Sequence, residues 1–485
     1  MLNVILRVPV QIESRARYAF ETLSTRWGLP LRFVNEATTG CNVVYGERKQ
    51  TDGCIPLLQC DSRAYQPDTD CTALSHKGRK VWGPRGTSFE HIDLIGSIFR
   101  LLTFMDESGV PHTARDRRGI FKTDFLPSGR KEVVAEPLVE NHAEVLFERL
   151  CDAYPRLKQD RLPLWPNGKK YAFLLTHDTD AITLGSVMEM AYNLGKAVLR
   201  RDAISFRMFK DGFTYFRRPA ANPLFGFPKW RRIEQPWLRS CFYLFVRPKR
   251  LKRDLNDCRS TVANQPVDWR LLHSMADAGW EFGLHAPIHA KEDVWAFREG
   301  KEFIEQQLGR PVVGLRHHYW ALDWGQPHLT FRRHVQAGFR YDTSIAWKDR
   351  AGLRAGTCLP FQPFDFGTDR ALDLYEVPSA IMDGHIRTPG RQLGHAVGDS
   401  LAVIDIINQR GGVALLNWHT EAACNDYHYT GDLPVLLGIF ERVLHDSDVW
   451  LATPQELVRH WHERRLRLQA AAQCQPLMLG TPTLA

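Results

Sequence analysis

The 485-residue chain has no window approaching the ~20 uninterrupted apolar residues of a membrane span. The nearest run, Leu94 to Met105, is broken by Arg100, so no membrane span is expected and the protein reads as soluble. The ten cysteines include no CxxC pair. Cys41, Cys54, Cys60 and Cys71 form the one loose cluster, at intervals of 13, 6 and 11, which match no zinc-finger spacing. Reduced structural thiols are the expectation. The N-terminus, MLNVILRVPVQIESRAR, lacks the basic segment and sustained apolar core of a cleaved secretion signal, which points to the cytoplasm. No internal repeat is evident. Charge of neither sign dominates: 63 Lys and Arg against 55 Asp and Glu leave +8, spread over the chain rather than gathered in a tail.

With 44% hydrophobic and 24% charged residues the composition is globular, which excludes disordered, collagen-like and disulfide-scaffold classes. Residues 1–162 read as a small α/β unit. Val4 to Val8 and VVYGE are strand-like, and Arg15 to Trp27, His91 to Met105 and Asn141 to Ala153 carry helical patterns. The following YPRLKQDRLPLWPNGKKY, with three prolines and an Asn-Gly turn, reads as an interdomain linker, and the boundary is placed at Leu162. From residue 163 to 468 the runs YAFLLT, CFYLFV, WEFGL, VVGL, LYEV, GVALLN and VWLAT alternate with helical stretches, as βα units do. A barrel is the natural solution, and its functional groups belong on loops at the C-terminal ends of the strands. Residues 469–485 have no periodicity and read as a flexible tail. The basic and aromatic stretch from Phe216 to Arg253 is the one segment compatible with nucleic acid. A solvated loop entering a buried strand accounts for it equally, and nucleic-acid binding is not expected.

Polar motifs fall where a barrel places chemistry. THDTD follows YAFLLT, and in an extended segment Asp178 and Asp180 point the same way. One can then hold a cation while the other takes a proton. GLHAPIHA follows WEFGL, and on a helical turn His285 and His289 share a side and a cation. Arg316 in GLRHHYW, Asp342 in GFRYDTS and His419 in ALLNWHT follow later strands. Each alone is explained as an ion-pair partner or a hydrogen-bonded histidine. Together, at successive strand ends, they make a site.

In this order the motifs resemble the polysaccharide deacetylases of the NodB-homology type (carbohydrate esterase family 4-like) over roughly residues 165 to 465. LYEVPSAIMDG and VWLATPQELVRHW share the resemblance, and residues 1–162 resemble an uncharacterised α/β domain that precedes such barrels in some bacterial members. The resemblance implies a distorted (β/α)7 barrel, preceded by the smaller α/β domain, and one divalent metal ion, zinc by preference. It implies Asp180, His285 and His289 as ligands, Asp178 as general base, Arg316 orienting that base, His419 as general acid and Asp342 tuning His419. The spaced DTD, where many members carry adjacent carboxylates, leaves open whether Asp178 or Asp180 is the ligand. His177, His317 and His318 are surplus imidazoles. The implied activity is metal-dependent removal of N-acetyl groups from a glycan or sugar precursor in bacterial surface-polysaccharide biosynthesis. The alternatives are a related hydrolase of a small nitrogenous amide and a catalytically silent glycan-binding module. Oligomeric state has no signal in the sequence.

Overall fold

The computed structural model describes residues 1–485 except 39, 47–55, 108, 250, 252–256, 258, 387–391 and 474–485. Cys54, Cys258, Cys474 and most of the expected tail therefore lie outside the described residues. The other seven cysteines are unbridged, six of them buried.

The N-terminal region builds a parallel sheet from β1 (Leu2–Arg7), β2 (Leu31–Phe33), β3 (Cys41–Gly46) and β4 (Leu57–Gln59), in the order β2-β1-β3-β4. Helix Val10–Trp27 crosses between β1 and β2. It stops at Gly28, whose φ of +71° suits glycine and where a Cβ would meet the Leu162 carbonyl oxygen at 2.5 Å. An antiparallel hairpin, β5 (Cys71–His76) and β6 (Arg79–Pro84), follows, then helices Leu94–Leu102 and Leu138–Ala153.

The second sheet contains β7 (Tyr171–Thr179), β8 (Cys241–Phe245), β9 (Glu281–Ala286), β10 (Gly314–His317) and β11 (Tyr341–Asp342). After a small antiparallel pair, β12 (Phe364–Asp365) and β13 (Arg370–Ala371), come β14 (Tyr375–Glu376), β15 (Ile381–Met382), β16 (Val413–Asn417) and β17 (Val449–Leu451). Its order is β14-β11-β10-β9-β8-β7-β16-β15, with β17 also beside β7, and every pair is parallel. The two ends of that order are one piece of chain. Residues 375–382 leave β11 through Val377 N to Asp342 O (2.9 Å) and reach β16 through Ala380 N to Leu415 O (3.0 Å). Counting β14 and β15 as one interrupted strand, the ring has seven, and the expected distorted (β/α)7 barrel is the fold observed.

A barrel this small is filled by side chains rather than left as a pore. Tyr243, Tyr341 and Arg316 are buried in it, and glycine makes room: a Cβ on Gly314 would sit 1.9 Å from Tyr341 Cζ. The base of the barrel is therefore plugged, and functional groups are confined to the end where the strands finish.

The N-terminal region packs directly on the barrel. Arg354 donates to both Glu107 carboxylate oxygens (2.8 and 2.7 Å), Thr123 Oγ1 donates to Asp349 (2.8 Å), and one buried apolar cluster runs through both parts. Helix Pro454–Gln473 joins them as well, Arg464 Nε donating to Thr25 O at 2.8 Å. That helix covers residues 469–473, which were expected in the tail, because Leu468 is buried and anchors its last turns. The basic-aromatic stretch is not a plain loop: Phe227–Glu234 is a helix that buries Phe227 and Trp230 beside β8. Among the described residues no helix is long and apolar enough to cross a membrane.

Candidate metal and catalytic site

Alternation along β7 sorts its polar residues between two environments. His177 faces the helix layer, where Nδ1 lies 2.9 Å from Trp418 O and Nε2 2.7 Å from Glu234 Oε1, so this imidazole is structural. Asp178 faces the barrel interior. Arg316 Nη1 donates to its Oδ1 at 3.0 Å and Asn417 Nδ2 to its Oδ2 at 2.8 Å. Burial opposes the charge on Asp178, but His285 and Arg316 outweigh it and hold the carboxyl below its usual range.

Asp180, one step beyond the strand, meets two imidazoles. His285 Nε2 is 3.2 Å from Asp180 Oδ1, and His318 Nε2 is 3.4 Å from Asp180 Oδ2. A potential ligand atom from each of the three residues lies within 4.8 Å of the others. Each imidazole is fixed through its other nitrogen: His285 Nδ1 lies 3.0 Å from Arg316 O and His318 Nδ1 2.8 Å from Asp257 Oδ1. Asp180 Oδ1, His285 Nε2 and His318 Nε2 are buried and hydrogen bond to nothing. Three converging, oriented, unsatisfied donors of the Asp-His-His type suit a divalent cation with coordination positions left open. Burial disfavours charge here too, yet the surrounding imidazoles, His318 foremost, hold Asp180 well below the usual carboxylate range, while Asp180 and Asp257 lift His318 to about 9.

The sequence expectation needs correcting at His289. The shared side requires a helical turn from His285, but β9 stays extended to Ala286 and Pro287 keeps the chain extended. His289 falls in the turn Ile288–Glu292, outside the converging group and the cavity lining. His318 stands in its place for a reason of register. Arg316 pairs with His285 and His317 with Ala286, so the residue after β10 rises at the rim beside His285. Tyr319 and Trp320 follow with φ of +56° and +50°, consecutive left-handed residues that turn the chain sharply at the site.

A second correction concerns His419. Its Nδ1 lies 2.9 and 3.0 Å from the two oxygens of Asp383, which also accepts the His419 backbone N–H at 3.0 Å. Burial disfavours the imidazolium, but Asp383 and the nearby Asp180 raise His419 to about 10. Asp342 is elsewhere. It is buried at β11, accepts from Ser344 Oγ at 2.5 Å and lies 3.5 Å from His334 Nδ1, and its register partner is Glu376. Asp383, the Asp of SAIMDG, carried a weak signal: an Asp-Gly directly after a strand-like AIM.

These groups floor a cavity of about 340 Å³. Its walls bring Tyr192, Asn193 and Arg259 from one side and Arg118 and Lys348 from another. Arg118 belongs to the N-terminal region and stacks on Tyr319, 3.9 Å from the ring centroid.

Comparison with protein-family models finds no match, and comparison with curated protein sequences finds none. Solved structures are similar. A protein described as a polysaccharide deacetylase from Mycobacterium smegmatis is 20% identical, over 66% of this chain and 97% of that one, at a TM-score of 0.41. Puue allantoinase is 13% identical over 62% and 93%, at 0.40. The carbohydrate deacetylase Agd3 is 10% identical over 96% and 88%, at 0.35. In fold the barrel is a closed ring of parallel strands with a (β/α) connectivity. The seven-strand ring places the site at the strand ends, as that fold requires.

Proposed function

We propose that this NodB-like protein is a metal-dependent N-deacetylase acting on an acetylated glycan or sugar precursor in surface-polysaccharide biosynthesis inside the cell. The observation that carries the reading is the set of three unsatisfied ligand atoms on Asp180, His285 and His318, with Asp178 and His419 beside it. One carboxylate and two imidazoles with a position left open form a donor set that catalytic zinc sites use. When bound, such an ion supplies Lewis acidity toward an amide carbonyl and makes water a stronger acid.

The chain's own residues supply the proton movements. Asp178, kept ionised by Arg316 and oriented by Asn417, accepts a proton at a carboxylate oxygen from the attacking water. His419, held by Asp383, carries a proton on Nε2 and donates it to the departing amine, which leaves poorly without it. The cavity volume accommodates one acetylated sugar unit of a chain.

Acetate release from N-acetylated oligosaccharides, with added zinc and with chelator, tests this. Release that needs the metal and disappears in Asp178→Asn supports it. Absence of acetate alongside turnover of a small cyclic amide would assign the same residues to an amide hydrolase, and glycan binding without turnover would make the barrel a silent module.

A further inference from the structure

Exposed apolar surface is concentrated in one place. Of the eighteen large hydrophobic side chains exposed among the described residues, nine fall between 187 and 216. That stretch is a hairpin of two helices, Val187–Arg200 and Ala203–Arg217. They pack antiparallel and closely, Gly212 of the second against Met190 of the first.

The first helix is amphipathic in the reverse sense for a water-facing element. Its buried residues are the polar Glu189 and Asn193, and Glu189 is held by Arg259 Nη2 at 2.9 Å. Its solvent side carries Val187, Leu194 and Val198 on one line, with Met188 and Leu199 beside them. Val187, Val198 and Leu199 are 70%, 69% and 85% exposed. The second helix adds a phenylalanine stripe at i, i+3, i+7 and i+10: Phe206, Phe209, Phe213 and Phe216. Successive rings along Phe206, Phe209 and Phe213 are 6.3 and 5.3 Å apart, and Phe206, Phe213 and Phe216 are exposed. Apolar patches of this kind mark interaction sites.

The charge around them selects the partner. Arg200 and Arg201 stand at the hairpin tip, and Lys210 and Arg217 flank the stripe, all exposed, while Arg207 is paired with Asp426. The acidic residues of the stretch are turned to internal tasks. Glu189 is buried, Asp202 caps the second helix, and Asp211 accepts from Tyr427 Oη at 2.8 Å. A second copy of the chain would set this basic surface against itself, whereas an anionic bilayer complements both its charge and its aromatic and aliphatic side chains.

We propose that the hairpin 187–217 is a docking surface for an anionic lipid bilayer, its Phe and aliphatic side chains seated at the headgroup boundary and its Arg and Lys on lipid phosphates. Tyr192, Asn193, Lys196 and Met208 of the same hairpin line the catalytic cavity, so docking holds one wall of the cavity at the membrane. On the deacetylase reading, that favours glycans carried on lipid over free ones.

The test is co-sedimentation of the full chain with vesicles of phosphatidylcholine alone or with roughly a third phosphatidylglycerol. The parent is expected to pellet with the anionic vesicles and to release at high salt. Leu199→Ser/Phe213→Ser/Phe216→Ser is expected to lose at least roughly a hundredfold in partitioning, and Arg200→Glu/Lys210→Glu to bind more weakly, with thermal unfolding unchanged in both because these side chains are exposed. A parent that stays in the supernatant at low salt, or a triple variant that binds like the parent, overturns the proposal. Self-association of the parent that the triple variant abolishes, without vesicle binding, overturns it in favour of a dimer face. Neither metal nor acetate enters the readout, so failure here is distinct from failure of the deacetylase assignment.

Discussion

Replacing Arg316 by Met removes the group that keeps Asp178 charged inside the barrel. The two are 3.0 Å apart and both are buried, which corresponds to an attraction on the order of 5 kcal/mol at an effective dielectric constant of ~20. Desolvation offsets much of this in the intact pair, but Arg316→Met leaves the desolvated carboxylate behind. Asn417 still donates to it, and His285 Nδ1 stands 3.9 Å away, so the loss belongs near the lower end of the ~3–5 kcal/mol typical of a broken buried pair. Urea unfolding of the metal-free protein, followed by tryptophan fluorescence, measures it. The second half of the cycle is diagnostic. Asp178→Asn added to Arg316→Met neutralises the stranded charge, so the double variant is expected to be more stable than Arg316→Met alone by roughly 2 kcal/mol. A single variant within about 1 kcal/mol of the parent, or a double variant that loses the full sum, would refute the claim that Arg316 exists to hold Asp178 ionised.

Two further outcomes follow from the same placements. Asp383→Asn is expected to lower kcat for acetate release by roughly a hundredfold, because His419 loses the charge that holds its proton. Asp342→Asn should stay within about threefold, since burial raises Asp342 to about 7 and Asn mimics its protonated form; the reverse ranking would restore Asp342 as the partner of His419. In the N-terminal region, Asp93 is fully buried and raised to about 7 by that burial, against hydrogen bonds from Tyr45 Oη, Asp61 N and Gly96 N. A folded state that binds this proton more tightly than the unfolded one loses stability as pH rises from ~4 to ~7 and levels off above. Asp93→Asn is expected to flatten that slope by on the order of 3 kcal/mol in urea unfolding at pH 5 and 8, and parallel slopes would contradict it.

Much of the barrel was legible because its central strands are long apolar runs: YAFLLT, CFYLFV and GVALLN lie in β7, β8 and β16. The strand that closes the ring was half visible, as LYEV. Its continuation, Ile381–Met382, is too short to show a period, and its role depends on pairing with residues far along the chain. At the site, Asp178, Asp180, His285, Arg316 and His419 were brought together as the motif order implied. His289 failed because a spacing rule for helices was applied to a chain that remains extended past His285. His318 and Asp257 could not be chosen from spacing at all. Which imidazole faces the cavity is set by the register of β9 against β10, a relation between strands that neighbouring letters do not encode. The hairpin 187–217 escaped for a different reason. Its helical pattern marks an apolar face, and only the packed structure shows that this face points outward.

The identity of the third ligand is the most direct point of decision. Divalent metal per chain, measured by elemental analysis after incubation with zinc and removal of the excess, should be about one in the parent and in His289→Ala, and near zero in His318→Ala and His285→Ala. Loss of metal in His289→Ala with retention in His318→Ala, each variant remaining folded by circular dichroism, would contradict the site as assigned.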